Sequence, residues 1–226
     1  MERVGVIVPA AGRSQRMAGV DKLFLPLGSR PLLAWCIDTL EKSPAVARIV
    51  VSVSPERLCD VESMSRERKW MKAAVVRGGA RRQDSVASAL DALGAVDWVL
   101  VHDGDRPFLT EALITQGLRA ARETGVAVAC MPVTDTVKVV DAAGLVVTTL
   151  ERDTLRAVQT PQVFRADIIH RAYSHIEETV TDDARLAERL GYAVRLYPGS
   201  HDNVKVTTPD DLLVAQAIAR RWEARP

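Results

Sequence analysis

The chain has 226 residues, 47% of them hydrophobic and 26% charged, with a formal net charge of +1. That length and composition suit one compact α/β domain with a full core, and the near-neutral balance argues against a nucleic-acid or membrane-surface binder. No apolar run approaches a membrane span, and Cys36, Cys59 and Cys130 are scattered without a C-x-x-C, which points to a reducing, cytoplasmic setting rather than a zinc knuckle or disulfide frame.

The first predicted strand, Val4–Val8, runs into Pro9-Ala10-Ala11-Gly12 and then a stretch carrying Arg13, Arg16 and Lys22. Small residues let backbone N–H groups approach phosphate, and cations neutralise it. The segment is neither a Walker A loop, since Met17 stands where the second Gly belongs, nor a dinucleotide fingerprint, since Ser14 replaces a Gly. It reads equally as a strand-to-helix turn with solvated arginines. Pro31–Leu40 has helical spacing, and strands follow at Arg48–Val53 and Ala73–Val76. The latter ends in Gly78-Gly79 ahead of a helix over Asp84–Leu93. This Gly pair would admit a flat ligand such as cytosine, with Ser85 adding a hydroxyl, or would be an ordinary capped turn.

Strand Trp98–Val101 delivers Asp103 near its carboxyl end. Mg²⁺ is commonly held by one or two carboxylates with substrate phosphates, so Asp103 is the metal candidate, with Asp105 assisting it or pairing with Arg106. An Asp-Gly turn is the alternative. His102 is expected to bond locally, and His170 and His175 to fall in a helix. A helix over Thr110–Thr124 stops at Gly125 and precedes strand Val126–Met131. Thr136–Val140 and Leu145–Leu150, joined by Asp141-Ala142-Ala143-Gly144, form a β-hairpin whose base brings Thr136 towards Arg152. A hydroxyl beside a guanidinium suits a phosphate monoester. An isolated hairpin is marginal in water, so this one is expected to reach a partner. Gln159-Thr160-Pro161-Gln162 reads as an extended turn. Thr181 is expected to cap a helix closed by Gly191, and Ala193–Tyr197 to form a strand. Lys205 is placed in a short strand, as an edge gatekeeper or a phosphate ligand, and Thr208-Pro209 starts the last helix. Strands alternating with helices give a mostly parallel, Rossmann-like three-layer domain over 1–226, with an inserted hairpin arm at 133–155 and ligands at the carboxyl ends of strands.

The ordered set PAAGRSQRM, KLFLPLG, GGARRQDSV, VHDGDRPF, PVTDTVK, QTPQVF and NVKVTTPDDL resembles the cytidylyltransferases that activate 2-C-methyl-D-erythritol 4-phosphate in isoprenoid precursor synthesis. The resemblance covers about Val4 to about Leu212. It implies that Pro9, Ala10, Ala11 and Gly12 surround CTP, that Arg16, Lys22 and Lys205 meet its phosphates, and that Gly79 and Ser85 read cytosine. Asp103 would meet Mg²⁺ or the cytidine, with Arg106 beside it on the substrate side. Thr136, Arg152 and Thr160 would hold the polyol phosphate, with Thr136 and Arg152 serving the partner's site of a homodimer. The chain departs from the family at Ser14, Asp21, Leu23 and Gly104-Asp105. A related ribitol-5-phosphate cytidylyltransferase and a silent nucleotide-binding module remain the alternatives. No fused second enzyme is expected.

Overall fold

In the computed structural model, residues 2–12, 21–175, 179–180 and 182–224 are described. The first strand, β1 (Val4–Ala10), shows how the sequence builds the layers. Val4, Val6, Val8 and Ala10 join one apolar cluster and Ile7 joins another, as the two-residue period of a strand buried on both faces requires. Gly5 sits where a Cβ would lie 2.7 Å from Leu93, so the strand can approach the helix layer only without a side chain there.

A 3₁₀ turn (Lys22–Phe24) and a small ribbon of β2 (Pro26–Leu27) and β3 (Arg30–Pro31) lead into α1 (Leu32–Lys42). There follow β4 (Val46–Val53), α2 (Leu58–Arg68), β5 (Ala73–Arg77), α3 (Arg82–Leu93), β6 (Trp98–Val101) and α4 (Glu111–Thr124). Then come β7 (Val126–Pro132), the hairpin β8 (Lys138–Val140) and β9 (Val146–Thr149), and the long β10 (Arg156–Arg165). The chain ends with α5 (Ala166–Tyr173), α6 (Ala184–Arg189), β11 (Arg195–Pro198) and α7 (Pro209–Glu223).

The main sheet has 7 strands in the order β11-β7-β10-β6-β1-β4-β5. All neighbours pair in parallel except β10, which is antiparallel to both β6 and β7. The fold is therefore α/β with a mostly parallel sheet and helices on both faces, as expected. One apolar cluster joins the sheet to α1, α2, α4 and α7, the other to α3, α5 and α6. The chain leaves β1 on one side through β4 and β5, then returns on the other through β6. The β1/β6 crevice at the strands' carboxyl ends is thus a topological switch point, where open α/β sheets bind ligands.

Several boundaries move. β1 runs on through Pro9-Ala10 instead of stopping at Val8, because Ala10 still pairs with Val53 of β4. α3 begins at Arg82, two residues early, because the Asp84 carboxylate accepts from the Arg81 N–H and caps the turn. α2 carries charged residues over most of its surface and buries only Val61 and Met64, so its apolar period is faint in the sequence. The segment expected as an extended turn, 159–162, lies inside β10; its register against β7 shifts between Val158 and Gln162. That irregularity turns Gln159 and Thr160 away from the ladder. Lys205 lies in irregular chain rather than in a strand, held through Val206 N–H to Asp105 O at 2.9 Å. His175 follows α5 instead of lying in it. The cap expected of Thr181 lies outside the described residues. The stop at Gly125 and the start at Thr208-Pro209 form as expected, while Thr110, expected as the first residue of its helix, is instead its N-cap, accepting from the Leu113 N–H. For Thr208 the box is closed by Asp211, whose carboxylate is pushed down to about 2: burial works against it, and hydrogen bonds from Thr207 and Thr208 outweigh burial.

An aromatic cluster fixes the loop after β6. Phe108 packs edge-on to Trp35 of α1 at 5.5 Å and against Trp222 of α7 at 5.2 Å, tying residues 103–107 to two helices. That loop carries the charged groups of the cleft.

Candidate active site

Two adjoining cavities open at the switch point. The larger, about 370 Å³, is lined by Pro9 and Ala10 at the end of β1 and Ala11 and Gly12 just past it, by 79–82 and Ser85 around the start of α3, and by Lys22, Asp103, Asp105, Lys205 and Thr207. The smaller, about 270 Å³, shares Arg82, Asp103 and Lys205 and adds Arg106, Gln159, Thr160, Gln162 and Asp182. Seven separate stretches of sequence therefore wall the cleft, and Arg82, Asp103 and Lys205 stand where its halves meet.

The small residues have two different reasons. A Cβ on Gly78 would lie 2.6 Å from the Ala11 Cβ, and one on Gly79 2.3 Å from the Asp84 Cβ. The Gly pair thus lets the loop before α3 close against β1 and its own helix, a requirement of packing rather than of a ligand. A Cβ on Gly12 would meet nothing within 4 Å. Gly12 faces open space, and what its absent side chain leaves free is the cleft. The Ser85 hydroxyl accepts from the Gly79 N–H at 3.1 Å and pins the loop.

Charge is concentrated at the boundary of the cavities. Asp103 lies two residues past β6, 7% exposed. Its Oδ1 accepts from Arg82 Nε at 3.0 Å and its Oδ2 from Lys205 Nζ at 2.8 Å; Arg106 Nε stands 3.8 Å away. Burial alone would raise the Asp103 pKa, but Arg82 and Lys205 outweigh it and hold the carboxyl well below the usual carboxylate range. Lys22 Nζ donates to Asp105 Oδ2 at 2.6 Å and to the Val206 carbonyl at 2.6 Å. Asp105 therefore pairs with Lys22 rather than Arg106, and its other oxygen lies 4.0 Å from Lys205. Arg106 instead donates to the Asn203 carbonyl at 2.7 Å, tying the loop after β6 to the segment that carries Lys205.

Beneath this layer runs a neutral relay. The Asp103 N–H donates to Thr160 Oγ1 at 3.0 Å, and Thr160 Oγ1 stands 3.1 Å from His102 Nδ1. His102 Nε2 is 2.9 Å from the Arg106 carbonyl, which can only accept. Nε2 therefore carries the proton, and Nδ1 accepts from the threonine hydroxyl. Burial pushes the His102 pKa down to about 4, keeping the ring neutral. As expected, His102 bonds locally. The Thr160 hydroxyl is itself engaged in holding the Asp103 backbone.

The remaining sites divide. Arg152 donates to the Thr134 carbonyl at 2.9 Å, so it does return to the base of the hairpin, but neither Arg152 nor Thr136 lines either cavity of its own chain. Arg16 and Ser14 lie outside the described residues. Asp21 caps the 3₁₀ turn through Leu23 N–H at 3.2 Å and pairs with Arg57 at 3.1 Å, while Leu23 is buried in the core. Both departures thus have local structural roles. Arg82 was missed by sequence reasoning, although it lines both cavities; its only signal was its place as the second arginine immediately before a helix.

Among the described residues no group of three or more His, Cys, Asp or Glu could hold a metal by itself. The carboxylates at the meeting of the cavities are Asp103, with both oxygens on cations, and Asp105, whose buried Oδ1 has no hydrogen-bond partner; Asp182 lines the smaller cavity. That donor set fits an ion carried largely by a ligand's own phosphates, with at most one or two protein oxygens.

The family model of 2-C-methyl-D-erythritol 4-phosphate cytidylyltransferase matches residues 4–221. A 2-C-methyl-D-erythritol 4-phosphate cytidylyltransferase of Dehalococcoides mccartyi is 45% identical over 221 residues, covering 97% of each chain. One of Desulforamulus reducens is 43% identical over 229 residues, covering 98% of this chain and 97% of that one. Among solved structures, the cytidylyltransferase of Thermus thermophilus superposes with a TM-score of 0.80 at 35% identity, over 97% of this chain and 100% of that chain. The 4-diphosphocytidyl-2C-methyl-D-erythritol synthase of Anaerococcus prevotii does so with a TM-score of 0.87 at 28% identity, over 97% of each.

Proposed function

The chain belongs to the 2-C-methyl-D-erythritol 4-phosphate cytidylyltransferase family, and from that premise we propose how its own residues carry the reaction. The protein transfers CMP from CTP to 2-C-methyl-D-erythritol 4-phosphate, releasing pyrophosphate. A phosphate monoester oxygen attacks the α-phosphorus in line. That oxygen is already anionic at neutral pH, so no general base is needed, which agrees with a cleft rich in Lys and Arg whose nearest histidine is buried and neutral. Catalysis then comes from positioning and from charge stabilisation.

The observation that carries this reading is the set of cations Arg82, Arg106 and Lys205 around Asp103 where the two cavities meet, with Lys22 on Asp105 in the larger cavity. Pro9 to Gly12 and Lys22, with Arg16, form the triphosphate side. Gly79 and Ser85 bound the cytosine side, and their backbone groups are the readers, since the Ser85 hydroxyl holds the loop. Thr160, Arg106 and Lys205 face the acceptor. Asp103, assisted by Asp105, would be the protein side of a Mg²⁺ site, where the ion would supply charge neutralisation to the triphosphate. Asp103 in its present pairing orients Lys205 and Arg82.

The domain spans 1–226, and the arm at 133–155 joins two copies into a homodimer, bringing Thr136 and Arg152 to the partner's acceptor phosphate. The support is the arm's exposure, with Leu145 67% and Val147 65% exposed. Among the described residues no helix is long and apolar enough to cross a membrane, and we take the enzyme to be cytoplasmic.

Pyrophosphate release with CTP, Mg²⁺ and a panel of polyol phosphates tests the reaction. Release with ribitol 5-phosphate but not methylerythritol phosphate would assign it to the relative, and CTP binding without release would make it a silent module. Mixing inactive Lys205→Ala protein with Arg152→Ala protein, with turnover read at low acceptor concentration, tests the arm. If Arg152 serves the partner, mixed dimers regain one intact site and turnover rises above that of Arg152→Ala protein alone; if it serves its own cleft, turnover does not rise.

A further inference from the structure

Arg82 opens α3, the end of a helix where a positive charge is disfavoured by the dipole. It is nevertheless held there from two sides. Nε and Nη2 lie 3.0 Å from Asp103 Oδ1, and Nη1 lies 2.7 Å from Asp183 Oδ2. The Asp183 side chain is 0% exposed, and its other oxygen accepts from the Tyr173 hydroxyl. A buried carboxylate with a guanidinium and a phenol on it costs free energy to desolvate, and hydrophobic packing would serve stability as well. What the arrangement does achieve is position. Arg82 stands between the cavities and lines both of them. Asp183 lies behind it on the far side from Asp103, at the start of α6.

The hydrogen bonds to Asp103 and Asp183 use Nε–H and one Nη1–H, with Nη2 3.0 Å from Asp103 Oδ1, so the fork keeps N–H groups that can turn towards an anion. Asp103 is shared with Lys205, so when phosphate enters, Arg82 can exchange Asp103 for phosphate oxygen without leaving Asp183. A fork fixed at its rear by a buried acid is suited to planar recognition of phosphate, and a lysine would not reproduce it.

We propose that Arg82 is a catalytic cation that meets the transferring phosphate where the two substrates join, and that Asp183 is its positioning residue. This rests on the cytidylyl-transfer reading. Pyrophosphate release by the unaltered enzyme tests that reading separately; if it releases none, the inference falls with it. The variants test Arg82.

Turnover is measured per CTP-binding site, with sites counted by calorimetric titration, so that unfolded protein does not register. Arg82→Gln is expected to lower this turnover about 100-fold while CTP affinity changes less than about fivefold, and Arg82→Lys to recover about tenfold of the loss. Asp183→Asn is expected to cost about tenfold alone but less than about twofold in the Arg82→Gln background, because it acts through Arg82. Arg82→Gln turnover within about threefold of the unaltered enzyme overturns the catalytic assignment, as does a fall in CTP affinity that matches the fall in turnover. An undiminished Asp183→Asn effect in the Arg82→Gln background overturns the positioning role. If Arg82→Gln does not fold, Arg82→Lys decides, with about tenfold lower turnover supporting the assignment and no loss overturning it. If Asp183→Asn does not fold, Tyr173→Phe decides in the same cycle, with a loss of about threefold expected only where Arg82 is present.

Discussion

The cleft and the hairpin arm treat charge and burial in opposite ways. In the cleft, Asp103 is 7% exposed and both of its oxygens are on cations. In the arm, valines and leucines stand in solvent, Val146 at 59% among them, held by a short ladder and an Asp141 turn that accepts from Ala143 and Leu145 N–H. Burying ions costs several kcal/mol and is tolerated only with partners in place. Exposing an apolar ribbon is equally unfavourable unless another surface covers it. Among the described residues the buried acid of the cleft is therefore matched by cations of the same chain, whereas the arm leaves its apolar side chains exposed. The proposed homodimer would give that ribbon its cover.

The sharpest way to break this comparison is Lys205→Ala. It removes a cation from Asp103 and from the reacting centre, and turnover is expected to fall about 10³-fold with the protein still folded. Steady-state pyrophosphate release and thermal unfolding check it; near-normal turnover would take Lys205 out of the mechanism. Next is Val146→Glu with Val147→Glu in the arm. Sedimentation should show monomers, and the Michaelis constant for the acceptor should rise about tenfold while that for CTP holds, since the partner's Arg152 is withdrawn. A dimer that survives both charges would show that the arm is not the interface.

A third test reads the relay under the cleft. His102 is pushed down to about 4 by burial from its ordinary value of 6.5, so the unfolded chain binds the extra proton first. Its contribution is complete above pH 6.5 and is lost as pH falls towards 4, costing about 2 kcal/mol between pH 7 and pH 5. Urea unfolding at the two pH values measures this, and His102→Gln should flatten the dependence by that amount. An unchanged slope would place the titration elsewhere. The smallest effect is expected of Asp105→Ala. Its carboxylate holds Lys22 and faces incoming phosphate, so its loss should lower the Michaelis constant for CTP about threefold, from repulsion of about 1 kcal/mol or less. A rise instead would mean that holding Lys22 and assisting Mg²⁺ matter more than repelling phosphate.

Much of the fold could be read from the chain because its signals are local. The parallel strands are short apolar runs, the hairpin has its turn residues, and the last helix has Thr208, Pro209 and Asp211 in cap order. β10 and α2 escaped for physical reasons. The Thr-Pro step at 160–161 imitates a turn, yet flanking strands on both sides enforce a ladder. α2 packs so few apolar residues that its period is lost among charges. Within the site, Asp103 and Lys22 were legible as charged residues following a strand and a small-residue loop, and Lys205 as a candidate phosphate ligand, though in a strand that does not form. Their partners were not. The pairing of Lys22 with Asp105 spans 83 positions, and that of Arg82 with Asp183 spans 101.

The sequence by itself determined the alternation of strands and helices, the small-residue end of β1, and the ordered blocks that mark the family, because each depends on residues close together in the chain. Only the tertiary structure decided which cation meets which acid. It moved Asp105 from Arg106 to Lys22, turned the Thr160 hydroxyl to His102, and brought Arg82 to the wall between the cavities. Charges attract over a few ångströms in space whatever their separation along the chain, so their pairing becomes defined only once the sheet order has brought the strands' carboxyl ends together.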